Sequence, residues 1–173
     1  MSEQATASGE QLARTMQSFS HAGDAAADAA QFITFAIGDD HYGIDIMAVR
    51  EIKDWTAIRH LPHQPDYVRG ICGMRGVFIP IVDLRCRFGQ GLTEATPRHV
   101  FIIVQIGAQQ VGLLVDRVSD IVSVKRADIK PVPDVGETQA LGFLSGLVNV
   151  DNAAVGLIEL DSILAAAPAP QVQ

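Results

Sequence analysis

The sequence predicts an all-β protein built from two copies of one five-stranded module. Three observations predict it. First, the chain matches itself when shifted by 69 positions: Ile37-Gly38, Tyr42-Gly43-Ile44, Val49 and Ile52 fall on Ile106-Gly107, Val111-Gly112-Leu113, Val118 and Ile121, and Glu51 falls on Asp120. At an offset of 76, Gly70-Ile71-Cys72, Ile79 and Ile81-Val82-Asp83-Leu84 meet Gly146-Leu147-Val148, Val155 and Leu157-Ile158-Glu159-Leu160. The seven additional residues fit an insertion around Asp134 to Ala140. Second, the apolar patches are short, rich in β-branched residues and separated by turn residues at strand-like intervals. Third, no long amphipathic helix lies between them, which argues against alternating strands and helices. Matched turn glycines in matched order mark an internal duplication. A module of roughly 55 residues has little interior of its own, so the two copies should pack through a shared apolar interface and leave a groove between them.

Each element follows in turn. Residues 1–30 are rich in Ala, Ser, Gln and Asp and read as a tail. Within it, Leu12, Met16 and Phe19 lie at helical spacing, which suits either a transient helix or a docking segment. Phe32 to Ile37 alternates, Gly38-Asp39-Asp40 turns and Tyr42 to Ile46 resumes, a hairpin signal. A short strand follows from Val49 to Lys53. Leu61-Pro62-His63-Gln64-Pro65 is an irregular connection, because its two prolines rule out a central strand or a helix interior. Ile71 to Arg75 and Val77 to Asp83 form strands joined tightly at Gly76, and Leu84 to Phe88 suits one helical turn. The second copy repeats the scheme as Val100–Ile106, Gln110–Val115, Val118–Val124, Phe143–Val150 and Ala154–Leu160, with Ile163 and Leu164 ending a short closing helix. The organisation is thus a tail (1–30), one domain (31–164) with halves 31–97 and 98–164 between which strands are open to exchange, and an exit tail (165–173).

Composition narrows the function. Of 173 residues, 48% are apolar and 19% charged, a globular balance. The net charge of −7 and the lack of any Lys/Arg run exclude a nucleic-acid footprint. Cys72 and Cys86 alone make no disulfide framework, which fits a reducing cytosol. No secretory signal and no apolar run near the ~20 residues needed to span a bilayer is present, so direct membrane insertion is not expected.

Catalytic signals are missing. His60-x-x-His63 with Cys72 or Cys86 is a poor zinc set, since the His pair flanks a proline and the second copy has nothing equivalent. There is no nucleophile elbow, and Gly70-x-x-Gly73-x-x-Gly76 has the wrong spacing for a dinucleotide loop. No enzyme activity, metal or cofactor is expected. A binding surface has better support. Arg75 sits in a tight link between apolar strands, where packing needs no long cation, and Glu51 lies among Val49, Arg50, Ile52 and Lys53. An apolar groove rimmed by Glu51 and Arg75 would suit an amphipathic helix; the plainer alternative is that the two only pair with each other. Across residues 68–100, Arg69, Arg75, Arg85, Arg87 and Arg98 outnumber Asp83 and Glu94 by three, which predicts a mildly basic face. The copies diverge most where the first reads Met74-Arg75-Gly76 and the second Val150-Asp151-Asn152.

Taken together, Tyr42-Gly43-Ile44-Asp45-Ile46, Val49-Arg50-Glu51-Ile52, Tyr67-Val68-Arg69-Gly70-Ile71, Arg75-Gly76, Ile79-Pro80-Ile81-Val82-Asp83-Leu84-Arg85, Gly112-Leu113-Leu114-Val115-Asp116 and Ile129-Lys130-Pro131-x-Pro133 resemble the CheW-like domain family of bacterial chemotaxis coupling proteins. The resemblance runs from about Gln31 to Leu164. It implies two SH3-like five-stranded barrels and a non-catalytic adaptor, cytoplasmic and recruited to membrane-bound receptor arrays. Its implied partners are the cytoplasmic hairpin tip of methyl-accepting chemoreceptors and the regulatory domain of the histidine kinase CheA. The receptor tip would dock in a groove carrying Val49, Glu51, Arg75, Gly76 and Val100. The kinase would meet the surface around Pro65, Tyr67 and Gly70. The same resemblance would suit a coupling module of a non-flagellar pathway controlling pili, surface behaviour or development. The chain departs from the family at Gly73, where Asn is usual, a change that removes a hydrogen-bonding side chain and adds backbone freedom.

Overall fold

The computed structural model describes residues 29–133 and 142–165. The segment with Leu12, Met16 and Phe19, the insertion around residues 134–140 and most of the exit tail lie outside the described residues. Ten strands are present: β1 (Ala29–Ile37), β2 (Asp40–Asp45), β3 (Val49–Asp54), β4 (Val68–Met74), β5 (Val77–Asp83), β6 (Val100–Ile106), β7 (Gln109–Val115), β8 (Arg117–Lys125), β9 (Leu144–Val150) and β10 (Ala153–Ile158). Two short helices, α1 (Leu84–Arg87) and α2 (Leu160–Ala165), each follow the fifth strand of a copy.

The repeat shows in backbone detail. The β1–β2 and β6–β7 hairpins turn on Gly38 and Gly107, both at φ 60°. The β4–β5 and β9–β10 hairpins turn on Arg75-Gly76 and Asp151-Asn152, with all four residues at positive φ, as a two-residue type I′ turn requires. Arg75, expected as the end of a strand, therefore stands in the turn itself. The reason is steric: a two-residue link whose twist matches its strands needs left-handed backbone at both positions.

The two five-stranded sheets do not follow the two halves of the sequence. One has the order β3-β6-β7-β5-β4 and the other β8-β1-β2-β10-β9. Each takes a hairpin from one copy and three strands from the other, so the exchange is reciprocal and complete. A single-turn 3-10 helix at Ile46–Ala48 carries the chain from the second sheet to the first, and Asp116 alone makes the return crossing. Each sheet joins the copies through one parallel pair, β5 with β7 or β10 with β2, and one antiparallel pair, β3 with β6 or β1 with β8. Each sheet curls into a barrel whose open side is bridged by a loop residue. Arg59 pairs with Ile71 in the first barrel, and Lys130 with Leu147 in the second. Gly70 makes the first closure possible: it sits at φ 148°, and a Cβ there would run into the carbonyl oxygen of Arg59.

Strand alternation distributes the apolar side chains over three clusters. Ile102, Val104 and Ile106 of β6 face the central core between the barrels, with Ile33, Phe35 and Ile37 of β1. Phe101 and Ile103, one residue out of phase, face the first barrel's interior with Cys72, Met74, Ile79 and Ile81. Phe32, Val124, Val148, Val155 and Leu157 fill the second. Central strands buried on both faces explain the near-continuous apolar runs, at period 2.

Candidate functional site

The first copy's hairpin tip and its neighbour β3 carry the candidate site. The Arg75 guanidinium lies 3.5 Å from the Glu51 carboxylate, the arginine side chain 84% exposed and the glutamate 33%. The plainer reading of the two residues, that they pair, is thus met, while Arg75 still projects into solvent beside the exposed Val77 and Phe78. Glu51 owes its direction to a β-bulge. The β3–β6 register shifts between Val49 and Glu51, so Val49 stands opposite Val104 and Glu51 opposite Ile103. Directly opposed residues share a face. Val49 and Ile52, three apart, therefore both face the central core, while Glu51 faces the other way. A regular strand could not do this, and a bulge re-aims a side chain in this way.

The structure brings three of the five groove candidates together and separates two. Glu51, Arg75 and Gly76 are neighbours. Val49 is buried in the central core, and Val100, opposite Asp54, packs half-buried against that same core. Met47 adds a large exposed side chain just before β3, a residue that periodicity alone passes over. Of the other three candidates, Pro65 is half-buried and its carbonyl accepts the Val68 amide. Tyr67 is half-buried against the core, and its carbonyl accepts the Asp83 amide at 2.6 Å. Gly70 is buried at the barrel closure.

The expected basic face is corrected. Three of its five arginines are turned inward onto partners distant in sequence. Arg69 donates to the buried Asp83 carboxylate at 3.2 Å and to the Thr93 carbonyl at 2.7 Å. Asp83 also accepts from the Thr93 amide and hydroxyl, at 2.7 and 2.6 Å, and caps α1 through the Cys86 amide. Charge-assisted bonds of this kind explain how a fully buried carboxylate is tolerated. Arg85 donates to Asp116, which also accepts from the Gly38 amide and lies 3.3 Å from His99. Arg87 lies between the rings of Tyr67 and Phe143, at 4.4 and 4.5 Å, and donates to the Ile163 carbonyl. Tyr67 and Phe143 are equivalent at the 76-residue offset, as are Arg87 and Ile163, so this guanidinium bridges equivalent positions of the two copies. Only Arg75 and Arg98 of the five are exposed.

The remaining groups offer little chemistry. Burial, helped by Asp40, pushes the Tyr42 phenol up to about 12. Burial, with Asp83 and Asp66 nearby, raises the Cys86 thiol, away from nucleophilic character. Both cysteines are free. Among the described residues no group of three or more His, Cys, Asp and Glu side chains could hold a metal, and no helix is long and apolar enough to cross a membrane.

Fold and site together define a β-barrel scaffold that presents charged and apolar side chains rather than reactive ones. The family model of the CheW-like domain matches residues 31–167, and the chain belongs to that family. It is 43% identical over 133 residues to the chemotaxis protein CheW of Rhizobium meliloti, a match covering 77% of this chain and 86% of that protein. It is 34% identical over 134 residues to the chemotaxis protein CheW of Klebsiella aerogenes, covering 78% and 81%. Among solved structures, the scaffolding protein TtCheW of Thermoanaerobacter tengcongensis superposes with a TM-score of 0.73 at 30% identity, covering 82% of this chain and 91% of that one. The fold is accordingly the two-subdomain, SH3-like double barrel of a chemotaxis scaffold.

Proposed function

We propose that this protein is the adaptor that couples methyl-accepting chemoreceptors to the histidine kinase CheA. The receptor's helical hairpin tip docks beside the Arg75–Gly76 turn, with Glu51 and Arg75 as polar anchors and exposed Met47 as apolar contact. Val49 and Val100 serve this site from below, holding β3 and β6 on the core. The kinase's regulatory domain meets the surface around Pro65 and Tyr67, with Gly70 keeping the loop closed onto β4. Recruitment to receptor arrays follows from the first contact.

The observation that carries the reading is the asymmetry of two equivalent hairpin tips. Both use the same left-handed backbone, yet one presents Arg75 and the other Asp151. Left-handed backbone is uncommon for arginine, and an exposed residue held against its conformational preference is retained for what it touches. Co-purification with a receptor cytoplasmic fragment and with a CheA regulatory domain, separately and together, tests the proposal. Arg75→Ala and Glu51→Lys should each weaken receptor capture at least ~10-fold while kinase capture and fold survive, a loss of about 1.4 kcal/mol or more. Full receptor affinity in both variants would refute the site.

A further inference from the structure

The β4–β5 hairpin and its counterpart β9–β10 share a backbone but present different outer faces. On the first, cross-strand pairs set Arg59, Ile71 and Pro80 in one row and Gly73 and Phe78 in the next. Directly opposed residues share a face, and Cys72, Met74 and Ile79, one position out of phase, fill the barrel behind it. The second hairpin pairs Leu147 with Gly156 and Asn149 with Ala154 at the equivalent places, and Lys130 takes the part of Arg59. The hairpin therefore forms with asparagine and alanine where the first copy has Gly73 and Phe78. Yet Phe78 stands 66% exposed, and Val77 beside it 57%, next to the Arg75–Gly76 turn. A Cβ at Gly73 would lie 3.7 Å from the Phe78 ring, so the missing side chain leaves a notch walled by that ring.

We infer that this notch takes a large apolar side chain from the receptor's helical hairpin, and that the same helix sets a carboxylate one turn away against Arg75. Two observations select this occupant. The notch is continuous with the Arg75 turn, which follows Gly73 by two positions on the same hairpin. The groups that frame it are also cationic. Arg59 is exposed and shares the face through its bridge to Ile71, and Arg75 is 84% exposed with Glu51 on one side only. A guanidinium has donors to spare for a second carboxylate. An apolar residue flanked by acids is the complement of an apolar notch flanked by arginines. Aromatic walls of this kind carry much of the affinity where a helix lies on a partner surface. The inference rests on the receptor reading of the Arg75 turn and deepens it, naming the side chain that the receptor must supply.

Capture of a receptor cytoplasmic fragment and of a CheA regulatory domain by full-length variants tests it. Phe78→Ser removes the wall and Gly73→Asn fills the notch, and each should weaken receptor capture at least ~5-fold while kinase capture is unchanged. Phe78→Leu keeps an apolar wall and should stay within ~2-fold of the natural chain. Both positions are exposed, and urea titrations should show one cooperative transition in all three variants. Arg75→Ala, measured beside them, separates the two levels. Receptor capture lost in Arg75→Ala but kept in Phe78→Ser and Gly73→Asn overturns the notch alone. Capture kept in Arg75→Ala overturns the receptor site, and the notch with it. Loss of kinase capture with receptor capture kept would assign the face to the kinase domain. A lower urea midpoint for Phe78→Ser without loss of capture would reduce the ring to a cover for the edge-strand glycine. Either of these two results also overturns the inference.

Discussion

Arg75 and Glu51 meet at 3.5 Å across the end of the first barrel, one from a hairpin tip and the other from a bulged strand. The pair is too exposed to matter much for folding. Ion pairs in such settings contribute about 0–1 kcal/mol, so Arg75→Ala and Glu51→Ala should each change the unfolding free energy by under ~1 kcal/mol in urea titrations. The charge-swapped double variant, Glu51→Arg with Arg75→Glu, should recover any lost stability yet remain deficient in receptor capture. Recovery of both together would make the pair purely structural.

The turn itself supplies a second test. Arginine in left-handed backbone costs on the order of 1 kcal/mol, whereas asparagine tolerates it. Arg75→Asn should therefore raise the urea midpoint by up to the equivalent of ~1 kcal/mol while receptor capture falls. Asp151→Asn at the equivalent tip should change stability much less, because aspartate already accepts this conformation.

Gly73, the departure from the family pattern, is opposite Phe78 on edge strand β4, and a Cβ there would lie an ordinary 3.7 Å from the Phe78 ring. Its φ is not positive, so no strain opposes a side chain. Gly73→Asn is expected to be neutral to stabilising by about 0.5–1 kcal/mol, since glycine in a strand interior is unfavourable by that amount. A thermal melt showing a clear loss would contradict the geometry.

Arg87 joins the halves, its guanidinium lying between Tyr67 of the first copy and Phe143 of the second. Lysine lacks the planar group that fits between two rings, so Arg87→Lys is not conservative. A destabilisation of about 1–3 kcal/mol is expected, larger than for Arg98→Lys on the surface, and denaturant melts of the two variants compare them directly.

Tyr42 sets an alkaline limit. Its folded-state value of about 12 lies above the ordinary 10, so the unfolded chain releases this proton first as pH rises. The contribution is fully present below pH 10 and is lost as pH rises from 10 through 12, up to about 2–3 kcal/mol. Unfolding curves between pH 8 and 11.5 should show a steeper decline for the natural chain than for Tyr42→Phe. Parallel declines would mean that the phenol ionises without penalty.

Much of this was legible beforehand. The ten strands, the hairpin turns and the duplication rest on period-2 alternation and on turn residues, which act over a few positions. The importance of Arg75 was visible because a long cation in a tight turn has no packing reason to be there. The arginines misled: Arg69, Arg85 and Arg87 look like surface charge, but their partners Thr93, Asp116 and Ile163 stand 24, 31 and 76 positions away. Nothing local marks such pairs. The direction of Glu51 was hidden in the same way, since the bulge that turns it is a property of two strands together.

By itself, then, the sequence determined the elements and their twofold repetition, because both follow from backbone preference and side-chain period. Which hairpin shares a sheet with which three strands was decided only by the tertiary structure. The two copies present nearly identical apolar faces, so either pairing satisfies the local pattern. The choice falls to the central core, where the hairpins of the two copies pack face to face and place β3 beside β6 rather than beside β2. That exchange completes each barrel with the other copy's hairpin, and it sets Glu51 opposite Ile103 of β6 in the barrel whose tip carries Arg75.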